Sequence, residues 1–207
     1  MAAWAQLPWE FPPPPAGLPD LSGRQWDVER KGQNCVVRAV PPAEMGRAVD
    51  IIVDAMGSTP AAVWSDPDDD RRIAFQTLLY GDSFGRQPGT WGYVLEADDY
   101  KAVCAWMRSD MPLSYPTPTT PNAIIARDEH VALEKRVMDD APVYFYLVSL
   151  VSCVRRQGYA RAVLQPILQI ADELDLPCYL DDVTGAHHVG NGTCTIVFCT
   201  LFCTNVH

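Results

Sequence analysis

Residues 143–182 read VYFYLVSLVSCVRRQGYARAVLQPILQIADELDLPCYLDD, and this stretch decides the fold. Val143 to Val154 is apolar on both faces, which predicts a central strand covered from above and below. Arg155-Arg156-Gln157-Gly158 breaks that run with charge and a glycine. Ala160, Val163, Leu164, Ile167, Leu168, Ala171 and Leu174 then fall on one stripe at helical spacing, so an amphipathic helix follows. Pro166 lies inside it, where a missing donor and a ring clash cost about 3 kcal/mol, and a bend is expected. Pro177 to Leu180 resumes a strand. The unit is strand, glycine-containing turn, helix, strand.

A turn that enters a helix from a buried strand leaves three or four backbone N–H groups unpaired at the positive end of the helix dipole. Gly158 allows close approach of an anion, Ala160 is small enough not to block it, and Arg155, Arg156 and Arg161 add charge. These residues suit a phosphate or pyrophosphate group. They suit a plain structural turn as well, and the pattern alone leaves both readings open.

Upstream, Cys35 to Val40 is a β-branched run that predicts a strand. Pro41-Pro42 opens a helix carrying Met45, Val49, Ile52, Val53 and Met56 on one face, with Gly57 as its stop. Asp66-Pro67 starts a second helix that runs to Tyr80-Gly81. Thr90 to Glu96 and Tyr100 to Met107 form a predicted hairpin about Ala97-Asp98-Asp99. Met111 to Pro121 holds four prolines and predicts a loop, and Ile124 to Asp139 a charged, exposed helix. Residues 1–34, with Pro12 to Pro15 and scattered tryptophans, show no period and are expected to be a proline-rich arm.

Arg155-x-x-Gly158-x-Ala160, after a buried strand and before an amphipathic helix, resembles the acyl-CoA signature (Gln/Arg-x-x-Gly-x-Gly/Ala) of the GCN5-related N-acetyltransferase (GNAT) superfamily. The whole of 143–182 resembles that superfamily's fourth strand, third helix and fifth strand without a gap. The preceding strand, two helices and hairpin match its N-terminal half in order, so the resemblance covers about Cys35 to Asp182. It implies an α/β fold of mixed α+β type: a twisted mixed sheet flanked by helices that splays between the fourth and fifth strands. It further implies acetyl-CoA as co-substrate, pyrophosphate on the N–H groups of Arg156, Gln157, Gly158, Tyr159, Ala160 and Arg161, and pantetheine along Val148, Ser149 and Leu150. The activity implied is acetyl transfer to the amine of a small molecule, directly and within a ternary complex.

The likeness stops at Asp182. The superfamily's next helix, with an asparagine and a tyrosine that often protonates the departing thiolate, has no counterpart in VTGAHHVGNGTCTIVFCTLFCTNVH. Residues 183–207 contain no Asp, Glu, Lys or Arg. At the chain's own charged fraction of 20%, such a run arises by chance with a probability of about 0.4%. The tail thus reads as foreign to the domain, the expected product of a read-through, a splice variant or an altered gene boundary. Its Thr193 to Thr204 run is β-prone and is expected either to supply a replacement strand or to form an exposed edge. Cys199 and Cys203 have the short spacing of a zinc-ligand pair, but no second pair accompanies them, so no metal is expected. The contrasting expectation for the whole chain is a non-catalytic acetyltransferase-like domain that binds acetyl-CoA weakly or not at all.

Acetyl transfer to an amine needs a proton acceptor, an oxyanion donor and a leaving thiolate. Asp181 and Asp182, across the predicted cleft, are the candidate base or amine anchor, with Glu96 as a second candidate base. A backbone N–H near Leu150 or Val151 is the candidate oxyanion donor. Tyr144, Tyr146 and Cys153 are expected to be structural.

Composition narrows the classes. The 207 residues are 48% hydrophobic, enough to bury a core, and the net charge of −10 disfavours a nucleic-acid reader. No apolar run approaches the roughly 20 residues that span a bilayer, so no membrane partner is expected. Seven irregularly spaced cysteines, with no basic segment or long apolar run at the N-terminus, predict reduced thiols and a cytoplasmic protein. An acidic chain also favours a cationic amine acceptor by steering.

Overall fold

The computed structural model describes residues 19–85, 92–110, 117–138, 143–180 and 195–196. Its strands are β1 (Gln25–Arg30), β2 (Gln33–Ala39), β3 (Gly92–Ala97), β4 (Ala102–Arg108), β5 (Phe145–Ser152), β6 (Cys178–Tyr179) and β7 (Thr195–Ile196). The helices are α1 (Met45–Gly57), α2 (Pro60–Ser65), α3 (Asp69–Gly85), α4 (Pro121–Met138) and α5 (Tyr159–Glu173), and a 3-10 turn (Pro42–Glu44) precedes α1. The sheet runs β1-β2-β3-β4-β5-β6. Every neighbouring pair is antiparallel except β5 with β6, which is parallel, and β7 pairs β5 antiparallel.

The stretch 143–180 folds largely as its pattern predicts. Phe145, Leu147 and Leu150 of β5 pack with Val163, Ile167 and Ala171 of α5, together with residues of β1 to β4, in one core. Val151 joins the opposite core, which contains Val49 and Ile52 of α1 and Phe84 of α3. The strand is therefore covered on both faces, as its unbroken apolar run requires. Pro166 is buried in the middle of α5.

Three differences from the sequence pattern have physical causes. The sheet begins at Gln25, inside the segment expected to be an arm. β1 and β2 form a hairpin whose two-residue loop, Lys31-Gly32, has both φ angles positive (48° and 75°), the geometry that matches strand twist. The helix expected from Asp66 begins at Asp69, and a separate short helix, α2, precedes it. Thr59 accepts a bond from the Ala62 N–H to start α2, while the Asp68 side chain accepts the Arg71 N–H and starts α3 one residue later. The hairpin turn Asp98-Asp99-Tyr100 has three successive left-handed residues (φ 47°, 58° and 65°), and the buried Glu96 holds it by accepting the Tyr100 N–H at 2.7 Å. The first eighteen residues, with their proline run, lie outside the described residues.

Carboxylates tie these parts together. Bonds from Arg38 and then Tyr100 hold the Glu44 carboxyl below its ordinary value of 4.5, and Arg71 holds Asp66 below 3.8. Folded pKa values that are depressed stabilise the fold at pH above the unfolded values and stop doing so as pH falls through the folded ones. The melting temperature is therefore expected to be insensitive to these groups above about pH 5 and to fall below about pH 4. Thermal melts between neutral and acid pH check this; a melting temperature that rises on acidification would contradict it.

Candidate functional site

The β5–α5 turn lies where the sheet opens. β6 pairs β5 only at Phe145 and Tyr146, and β7 pairs it only at Val151 and Ser152. β4 occupies the other side of β5 along its whole length, so Leu147 to Leu150 has no strand on its second edge among the described residues. Within that window β5 bulges. Ala105 pairs with Ser149 and Trp106 with Leu147, leaving Val148 without an opposite residue. Leu147 and Leu150, three apart, consequently join the same core, which a regular strand of period two does not allow. Beside the window, Leu147, Leu150, Leu164, Leu168, Cys178 and Leu180 line a small apolar cavity between the diverging strands and α5. Ser149 is 4% exposed, and its buried Oγ has no hydrogen-bond partner.

At the end of the strand the chain turns through Arg156 (φ 56°) and Gly158 (φ 86°), and the first backbone bond into α5 runs from Ala162 N–H to Gly158 O at 3.0 Å. Among the described residues the N–H groups of Gln157, Gly158, Tyr159, Ala160 and Arg161 donate to nothing. Successive N–H groups about left-handed residues at a helix start form an anion-binding concavity. Arg155, Arg156 and Arg161 are exposed around it, and Ala160 is too small to block its approach. The Tyr159 ring is buried, with the Arg30 guanidinium 3.9 Å from its centroid and the Lys101 ammonium bonded to its hydroxyl at 3.2 Å. Tyr159 thus offers the site its N–H, not its side chain. Sequence reasoning missed Arg30, Lys31 and Lys101, which reach the turn from elements more than fifty residues away.

The candidate catalytic carboxylates fare differently. Asp181 and Asp182 lie outside the described residues, immediately beyond Leu180. Glu96 lies on a row of paired residues that crosses Val103 of β4 to Val151 of β5, two strands and so roughly 10 Å from the open edge. Its Oε1 accepts Arg38 Nε at 2.5 Å and its Oε2 the Tyr100 N–H. Glu96 is employed in holding the sheet, and service as a base would require release of that ion pair.

A second group of titratable residues lies beside the N-terminal half of β5. α4 sets His130 against the Tyr146 ring, 5.6 Å between centroids, and the Tyr144 hydroxyl donates to Glu134. Tyr179 of β6 completes the cluster at 5.6 Å from Tyr146. The charged segment 124–139 signalled an exposed helix, and nothing in its spacing pointed to this contact. Of the described thiols, Cys104 is fully buried and pushed up to about 12 by desolvation, which removes it as a nucleophile.

No family model matches the chain, and no curated protein matches it in sequence. Among solved structures, an insect putative arylalkylamine N-acetyltransferase 7 from the yellow fever mosquito superposes with a TM-score of 0.57. It is 13% identical and covers 80% of this chain and 76% of its own. The fold is GNAT-like. In this fold the bulged window of β5, which holds Val148 to Leu150, and the N–H-lined turn, which holds Arg155 to Arg161, follow one another along β5, with Val151 and Ser152, paired to β7, between them. No helix among the described residues is long and apolar enough to cross a membrane.

Gly158 has two requirements on it. A Cβ there would lie 3.1 Å from Arg30 Cγ, and φ +86° disfavours any L side chain. Gly158→Ala is expected to destabilise the protein by about 1–2 kcal/mol from backbone conformation alone. Urea unfolding checks it, and an unchanged midpoint would show that the turn relaxes freely.

Proposed function

We propose that the protein is an acetyl-CoA-dependent N-acetyltransferase acting on the amine of a small molecule. The observation that carries this reading is the β5–α5 turn with its five unused N–H groups, followed back along β5 by the bulged window whose second edge has no strand among the described residues. Those are the donors that a ligand with a phosphorylated head and an amide-bearing arm would satisfy. The residues fit such a ligand: Arg155, Arg156 and Arg161 would neutralise its phosphates and the turn amides would hold them. Val148, Ser149 and Leu150 would pair with the arm through backbone left free by the bulge and the splay.

Acetyl-CoA supplies the activated acyl group. The cationic amine would first give one proton to a carboxylate; its freed lone pair would attack the thioester carbonyl, the C–S bond would break, and the second amine proton would go to the departing thiolate. Asp181 and Asp182 are the proposed anchor and proton acceptor for that amine. The neighbour's arylalkylamine name and the acidic chain both favour a cationic amine.

A second reading has one observation in its favour. β7 covers Val151 and Ser152, the part of the β5 edge between the turn and the bulge. An arm running from the phosphate turn to Val148 would have to pass there. If β7 holds that position firmly, the domain is non-catalytic and binds acetyl-CoA weakly or not at all.

Calorimetric titration of acetyl-CoA, followed by a thiol-release assay with a panel of small amines, separates the readings. Binding at micromolar level and amine-dependent release of CoA thiol are expected. Arg156→Glu with Arg161→Glu, both exposed positions, is expected to weaken binding at least tenfold at unchanged melting temperature. Asp181→Asn and Asp182→Asn are expected to lower kcat/KM for the amine and leave acetyl-CoA affinity intact. Binding without thiol release, or no binding by the folded chain, would transfer the lead to the non-catalytic reading.

A further inference from the structure

The turn does not hold its own shape. Lys31 Nζ donates to the carbonyl of Arg156, and Arg30 Nη1 donates to the carbonyl of Gln157 at 2.5 Å. Both cations come from the end of β1 and the hairpin loop, more than a hundred residues upstream. We propose that Arg30 and Lys31 are positioning residues that create the anion-binding geometry of the β5–α5 turn, an inference that rests on the acyl-CoA reading of that turn.

The argument follows from peptide geometry. In a trans peptide the carbonyl and the following N–H point in opposite directions within one plane. Drawing the oxygens of Arg156 and Gln157 toward the hairpin therefore aims the N–H groups of Gln157 and Gly158 away from it. Without the two cations, those carbonyls would be free to rotate and present partial negative charge to an arriving phosphate.

Arg30 is itself fixed. Its side chain bonds Gln33 Oε1 at 2.9 Å, its guanidinium lies over the Tyr159 ring, and its stem packs against Gly158. At 9% exposure it is nearly enclosed by protein, so its role is carried through the Gln157 carbonyl and not through contact with the ligand. Lys31 is held by the left-handed Lys31-Gly32 loop, whose register is set by pairing of Arg30 with Gln33. The same arrangement explains the requirement for glycine at 158: the Arg30 stem occupies the space that a side chain would take.

The test uses the full-length chain and two thioesters, acetyl-CoA and S-acetylpantetheine, which share the arm and differ in the phosphorylated head. Lys31→Met and Arg30→Met are expected to weaken acetyl-CoA about tenfold each, the effect of losing a charged hydrogen bond, while S-acetylpantetheine affinity stays within twofold. Arg30→Lys keeps the charge and loses the planar fork, and is expected to behave like Arg30→Met. If Arg30→Lys restores wild-type affinity, charge alone matters and the positioning role is overturned. Equal losses for both thioesters would also overturn it, by showing a general structural effect; Lys31, exposed and in a loop, guards against misreading a failure of Arg30 variants to fold.

Inorganic pyrophosphate, followed by amide chemical shifts of Gln157 to Arg161, separates this inference from the reading beneath it. Shifts in the wild type that Lys31→Met abolishes, in a chain that binds no acetyl-CoA, would support the positioning role and refute acyl transfer. A wild type whose turn amides do not respond to pyrophosphate would overturn the positioning role.

Discussion

The arrangement of the whole molecule depends on how β5 uses its two edges. One edge is filled by β4 along its length, and the other is met by a parallel strand at its first two residues only. Parallel pairing at one end means that the chain must leave β5, cross a face of the sheet and return, and α5 is that crossover. The crossover fixes the helix start beside the end of β5, while the early divergence of β6 leaves the second edge of Leu147 to Leu150 without a strand among the described residues. A buried strand with unpaired backbone is costly unless something satisfies it. The bulge at Val148 and the orphaned Ser149 hydroxyl increase that cost at the same place. On the proposed reading, a bound ligand would satisfy those donors and acceptors.

Much of this was legible in the sequence because it is written in local pattern. β5 is a long apolar run, α5 is a seven-residue stripe, and charge with a glycine separates them. β1 was not legible, since QWDVER alternates with charged residues and its loop is Lys-Gly, a pair that lacks the asparagine or aspartate of the commoner hairpin turns. Its status as a strand comes from pairing with β2 and from burial of Val28 under α5. The bulge escapes for a related reason: Leu147 and Leu150 share a face only because the strand slips, and spacing alone predicts opposite faces. The contacts of Arg30 and Lys31 with the turn, and of α4 with the β5 tyrosines, join segments distant in sequence. No periodicity records which surface residue will meet which loop.

On the proposed reading, the β7 segment and the ligand arm would interact through thermodynamic linkage. β7 and an extended arm would both bond the same edge of β5, so each weakens the other to the extent that their footprints overlap. A two-residue strand offers few backbone bonds, each worth about 0.5–1.5 kcal/mol net. A pyrophosphate on five unused amides and three arginines has stronger, charge-assisted contacts at its disposal. On the proposed reading, that balance would let β7 lower the affinity of the edge without closing it.

Electrostatics sharpens the same division. The chain carries −10 overall, yet Arg30, Lys31, Lys101, Arg155, Arg156 and Arg161 converge on one turn, six of its 16 basic residues. Screening confines an exposed charge to about 8 Å at physiological ionic strength, so an anion in the turn experiences chiefly this cluster and little of the acidic remainder. The remainder still acts on approach, where it would slow a polyanionic donor and attract the proposed cationic acceptor. Two of the six cations spend their hydrogen bonds on carbonyls of the turn and one on Tyr159, and these bonds turn charge into shape. An acidic protein can in this way hold a phosphate-rich ligand without a broad basic surface: the field is made local, and the backbone N–H groups, which carry no net charge, do the fitting.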